Sequence, residues 1–159
     1  MSFAFDHAIW LVLAIPAAAA ALLALIPFYR LAASINVLAS FATLIAAGSL
    51  FFSAQSADSY FIVDDLNIVF IALNAFVGFT TSIFSASYIA HEIEIGRLSP
   101  PYVRFYHALY QVMMFGMNLA LSANNIGLMW VAVELATLTT VVMVGLYRTH
   151  EAIEAAWKY

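Results

Sequence analysis

Long apolar runs broken by short polar stretches organise this chain. Five runs reach or approach the ~20 apolar residues that a helix needs to cross the hydrocarbon core of a bilayer. They are Ala8–Phe28, Leu31–Ser53, Leu66–Tyr88, Tyr106–Leu121 and Ile126–Tyr147; the fourth is the weakest and ends at Ser122-Ala123-Asn124-Asn125. Inside lipid every backbone amide must bond internally, so each run predicts helix. Pro16 lies within the first run and Pro27 closes it, while Pro100-Pro101 predicts a helix stop ahead of the fourth. Between the second and third runs an acidic loop has a β-prone centre, Tyr60–Val63, which predicts a short extended segment. After the fifth run, Thr149 fits an N-cap and Glu151 a first-turn acid, so a sixth helix begins there. The predicted fold class is all-α: a polytopic transmembrane helix bundle with five spans plus the start of a sixth, in one membrane domain over residues 1–159.

Composition excludes the soluble alternative. Hydrophobic residues make up 65% of the 159 and charged residues 9%, against about 25% charged in soluble domains. Five such runs cannot all hide inside a core of this size. There are no cysteines, which excludes disulfides, thiolate chemistry and cysteine-ligated iron–sulfur or zinc centres on this chain. A net charge of −4 without a basic stripe excludes a nucleic-acid partner. The opening residues MSFAFDH carry no Lys or Arg, so the first run is expected to be a retained helix rather than a cleaved leader. The five basic residues then set a direction. Arg30 follows the first run, Arg97 and Arg104 the third, Arg148 and Lys158 the fifth, and none follows the second or fourth. All five fall on one side, which the positive-inside rule makes cytoplasmic, with the N-terminus outside (periplasmic in a bacterial inner membrane).

One ionisable residue lies deep in a predicted span. Glu134 is eight residues past Ile126, about 12 Å along the helix. An ionised acid near the bilayer centre costs at least ~2.5–3.5 kcal/mol, so it must be protonated, paired or beside water. Each of those states couples its charge to its surroundings, which is what a proton or ion relay needs. The plainer reading is a structural acid bonded to a neighbouring helix. Thr137 lies one turn on as a supporting polar group, and Thr139 and Thr140 add hydroxyls to the same helix, although threonines in such helices commonly bond their own backbone. Lys158 reads either as a surface anchor or as the inner end of a polar path. Asn36, Asn67, Asn74 and Asn118 read as helix–helix bonds. His107 and His150 are placed near the cytoplasmic side and His7 on the outer side, with none of the four histidines counted within a span. Haem ligation would need paired histidines on facing helices, so it is not expected. Asp64 and Asp65 read as solvated acids rather than a cation site. No nucleophile–base pair, phosphate loop or metal-ligand spacing occurs. The chain is therefore expected to be non-catalytic by itself and to carry no cofactor or metal.

Several stretches together resemble one family. Trp130-x-x-x-Glu134-Leu135, then Gly145-x-Tyr147-Arg148 and Ala155-Ala156-Trp157-Lys158-Tyr159, resemble the antiporter-like subunits of respiratory complex I, of multisubunit sodium–proton antiporters and of membrane-bound nickel–iron hydrogenases. Glu-Leu-Ala-Thr-Leu-Thr-Thr with Tyr-Arg-Thr after the helix is most similar to the F subunits of hydrogenase 4. Phe61–Leu66 and Ser85–Ile89 are similar to the start and end of that family's third helix. The resemblance implies a longer subunit of about fourteen helices with two inverted five-helix repeats. It implies that Glu134 is the fifth-helix glutamate, which pairs with a lysine on the seventh, and that Lys158 matches a lysine opening the sixth. It also implies partner membrane subunits and a peripheral redox arm whose electron transfer drives proton movement. This sequence stops before a seventh helix, so the expectation is the N-terminal part of a longer subunit. Two rivals stand beside that reading. One is a chain that serves only as a packing or assembly element. The other is a self-sufficient cation channel, which a single deep charge supports poorly.

Overall fold

The computed structural model describes residues 3–52, 56–57, 59–98 and 100–158, with side chains from residue 8 onward except at 56 and 100–104. Six helices follow one another: α1 Phe3–Leu25, α2 Tyr29–Ser49, α3 Asp65–Glu94, α4 Pro100–Ser122, α5 Ile126–Val144 and α6 His150–Lys158. Short 3₁₀ turns extend α2 through Leu50–Phe52 and α5 through Gly145–Tyr147. The all-α bundle expected from the apolar runs is what forms. Among the described residues, four helices are long and apolar enough to cross a membrane: Ala8–Leu25, Tyr29–Phe52, Asp65–Glu94 and Ile126–Tyr147. α4 is equally long, at 23 residues, and carries the most polar interior face.

The helix ends follow from identifiable residues. Pro27 lies in the three-residue turn between α1 and α2, where its missing N–H excludes helix continuation. Asp64 caps α3 by accepting the Asn67 N–H at 2.7 Å. α3 ends at Gly96, whose φ of +75° is open to glycine at little cost, and the Arg97 and Leu98 N–H groups fold back onto the Glu92 carbonyl. This corrects the expectation for Pro100-Pro101: the stop is the glycine, and the prolines open α4, where their fixed φ suits a first turn. α3 consequently runs six residues past Tyr88, and α4 starts six residues ahead of Tyr106. Asn125 caps α5 by accepting from the Gly127 and Leu128 N–H groups at 2.9 and 3.2 Å. Thr149 caps α6 as expected, accepting the Ala152 N–H at 3.1 Å.

α1 to α4 pack around a common interior, and α5 packs mainly on α4 from outside it. At the end that holds the N-terminus, strand β1 (Ser56–Ala57) pairs antiparallel with β2 (Ile62–Val63). Phe61 bridges to Ala123, and the Asn124 N–H donates to the Tyr60 carbonyl at 2.7 Å. The extended segment expected at Tyr60–Val63 is thus real, and it ties the loop after α2 to the break after α4. An apolar cluster built from Val12, Leu50, Ile71 and neighbours seals this end. A second, around Leu23, Ala32 and Ala108, and a third, Ile89 with Leu98, close the opposite end. Positions 30, 97, 104, 148 and 158 all belong to the turns and helix ends of that opposite side.

Candidate functional site

The rotation of α5 decides what Glu134 can meet, and small residues set that rotation. Gly116 of α4 lies so close to α5 that an added Cβ would meet the Ala132 carbonyl at 3.0 Å and the Ala136 nitrogen at 3.1 Å. Ala132 and Thr139 are the buried positions of α5. Glu134 is two residues from both Ala132 and Ala136, about 200° around the helix from each. It therefore points away from α4, together with the exposed Val131 and Leu138. Its carboxylate makes no hydrogen bond or ion pair to another described residue.

The other two nominated residues do not converge on it. The Thr137 hydroxyl donates to carbonyls of its own helix, Val133 at 2.9 Å and Glu134 at 3.0 Å. Thr139 and Thr140 do the same one turn on. A polar helix hydroxyl without a side-chain partner commonly takes this bond. Thr137 and Thr140 line a cleft of about 370 Å³ between α3 and α5, floored by Tyr110 and Met113 of α4. Lys158 is exposed and forms an i,i+4 ion pair with Glu154, so it is engaged at the far end of α6. His91 lies within α3 and the α4 residue His107 is wholly buried, which corrects the placement of the histidines outside the spans. The side chains of His7 and Arg104 lie outside the described residues.

The asparagines behave as expected. Asn74 Nδ2 donates to Asn118 Oδ1 at 2.8 Å, joining α3 to α4, and Asn67 Nδ2 donates to the Leu121 carbonyl at 2.8 Å. Sequence reasoning passed over their companion, Gln111. Its amide nitrogen donates to Asn36 Oδ1 at 2.8 Å and to Ser40 Oγ at 3.0 Å. The signal was available: Asn36, Ser40 and Thr43 recur at the helical period on α2, as do His107, Gln111 and Asn118 on α4. At the charged end, buried Glu92 reaches Arg97 at 3.6 Å, and the Tyr147 hydroxyl donates to the Tyr88 hydroxyl at 3.2 Å.

Apolar helices of membrane-spanning length, bonded through interior amides, define an integral membrane helix bundle, with the Glu134 carboxylate on an open face of α5. No protein-family profile matches the chain. It is 59% identical over 138 residues to a Hydrogenase-4 component F homolog from Methylacidiphilum infernorum (isolate V4), a stretch that is 87% of this chain. The chain spans 29% of that relative's length. Identity at this level shows the relationship to hydrogenase 4 F subunits that the sequence resembles.

Proposed function

We propose that this chain is part of a proton-translocating, antiporter-like membrane subunit of an oxidoreductase complex of the hydrogenase 4 or NADH:quinone oxidoreductase type. In this reading it carries no catalytic centre itself. Its partners are other membrane subunits, a peripheral redox arm and the lipid bilayer of a bacterial inner membrane. The charged end of the bundle faces the cytoplasm and the N-terminus the periplasm. The observation that carries the reading is Glu134: a carboxylate in mid-helix, without a partner among the described residues, on a face that α4 leaves open. Bare lipid cannot cover such a group cheaply, because an acid there costs at least ~2.5–3.5 kcal/mol. A cationic or hydrated partner surface can. Exchange of that partner then moves the proton on and off, since a nearby positive charge favours the ionised acid and its removal favours the neutral one. Lys158 serves as a secondary proton group at the inner end of α6, once released from Glu154.

The test is Glu134→Gln in the full-length subunit, within its native complex in sealed membrane vesicles. Electron transfer and proton uptake are followed together. The expected outcome is an assembled complex that retains electron transfer and loses coupled proton movement. An unchanged proton-to-electron ratio rejects the relay. Lower complex yield with an unchanged ratio in Glu134→Ala assigns the residue to assembly instead.

A further inference from the structure

α3 and α5 both lean on α4 and scarcely touch each other, so the gap between them is an elongated cleft with α4 as its floor. Its deeper part is the space of about 370 Å³ beside Thr137. A second part of about 310 Å³ continues it towards the charged end, and Tyr110, Met113 and Thr140 line both. Tyr88 and Gly78, ten residues apart on α3, line the two parts. That separation is about 15 Å along the helix, the depth of one leaflet of a ~30 Å hydrocarbon core.

Polarity changes along the cleft. In its depth the polar groups are satisfied within the protein. The Tyr110 hydroxyl donates to the Gly78 carbonyl, Asn74 to Asn118, and Thr137 and Thr140 to carbonyls of α5. What remains is methyl, ring and thioether surface, including Met113, Met117 and Met143, side chains that adapt to an irregular apolar occupant. At the charged end donors are left over. The Tyr147 hydroxyl donates to the Tyr88 hydroxyl at 3.2 Å, which leaves the Tyr88 proton for an acceptor in the mouth. Arg97 precedes the lining residue Leu98, and the exposed Arg148 follows the lining residue Tyr147. The Arg97 side chain is 69% exposed, and its contact with Glu92, at 3.6 Å, is longer than a hydrogen bond. Its guanidinium donors therefore stay usable. Glu94 lines a separate cleft with Arg30.

We propose that the α3–α5 cleft is a binding site for one anionic phospholipid. One acyl chain lies over Tyr110 and Met113, an ester carbonyl accepts from Tyr88, and the headgroup phosphate meets Arg97 and Arg148. Basic pockets between membrane helices hold anionic headgroups in this way. A further helix is the poorer occupant: at about 10–12 Å across, over this length it is several times larger than either part of the cleft. The site uses no proton transfer and stands or falls independently of Glu134.

The experiment is native mass spectrometry of the protein in detergent, given equimolar phosphatidylglycerol and phosphatidylcholine with identical acyl chains. The expected result is one retained lipid per protein, with phosphatidylglycerol preferred at least about tenfold, since each arginine near the membrane surface contributes about fivefold. Arg97→Gln and Arg148→Gln each lower that preference about fivefold. Thr140→Trp, which fills the middle of the cleft, abolishes retention of either lipid. Should that variant not fold, Met143→Trp is read the same way. No retained lipid, or equal retention of both by the unmodified protein, overturns the proposal. So does a preference that neither arginine variant lowers, or a cleft-filling variant that retains phosphatidylglycerol like the parent, because the lipid then sits elsewhere on the bundle.

Discussion

Replacing Gly116 with alanine places a methyl group against the backbone of α5 at three points: 3.0 Å from the Ala132 carbonyl, 3.1 Å from the Ala136 nitrogen and 3.3 Å from the Ala136 Cβ. Ordinary contact begins near 3.4 Å, so the two helices must separate by a few tenths of an ångström. Neither neighbour is a side chain that can swing aside. Overpacking of this kind costs ~1–3 kcal/mol, and the better helix propensity of alanine offsets about 1 kcal/mol. A net loss of about 1 kcal/mol follows, which corresponds to ~2–4 °C in a chain of this size. Gly78→Ala is the matched control. Its added Cβ meets only the sulfur and terminal methyl of Met114, the far end of a flexible side chain. Its stability should stay close to that of the parent, because the propensity gain roughly balances the movement of Met114. The assay is thermal unfolding of the protein in detergent, followed by tryptophan fluorescence. A Gly116→Ala protein as stable as the parent, or a Gly78→Ala protein that loses more, would falsify the claim that backbone contact sets the α4–α5 spacing.

Further outcomes are expected from the same geometry. In a double-mutant cycle between Asn36→Leu and Gln111→Leu, the coupling should be about 0.6 kcal/mol, the average for a membrane hydrogen bond, because the two side chains share one bond; additive losses in a denaturation series would contradict the bonding. Gly96→Ala should lower stability by ~1–2 kcal/mol, the cost of a left-handed conformation for a residue with a Cβ, and an unchanged melting temperature would show that α3 ends differently. Lys158→Ala should shift stability by no more than a few tenths of a kcal/mol, because its pair with Glu154 is exposed. A larger loss would mean that Lys158 meets another group.

The sequence by itself determined the class of protein and most of its punctuation. Runs of membrane-spanning length leave helix as the sole way to satisfy their backbone, and Pro27, Asn125 and Thr149 mark boundaries through local chemistry that needs no neighbour. The resemblance around Glu134 was equally legible. Only the tertiary structure decided which way each helix face turns. α5 is apolar nearly all round, so its pattern cannot say that Ala132 and Thr139 face α4 while Glu134 faces away; the close approach at Gly116 does. For the same reason nothing in the local pattern shows that His107, near the charged end of α4, is wholly buried. In a membrane helix, polar residues on the inward face no longer contrast with a polar outside, so their period is easily missed. Gln111 has a partner only because α2 brings Asn36 and Ser40 to the same depth, and no local pattern on α4 specifies that meeting.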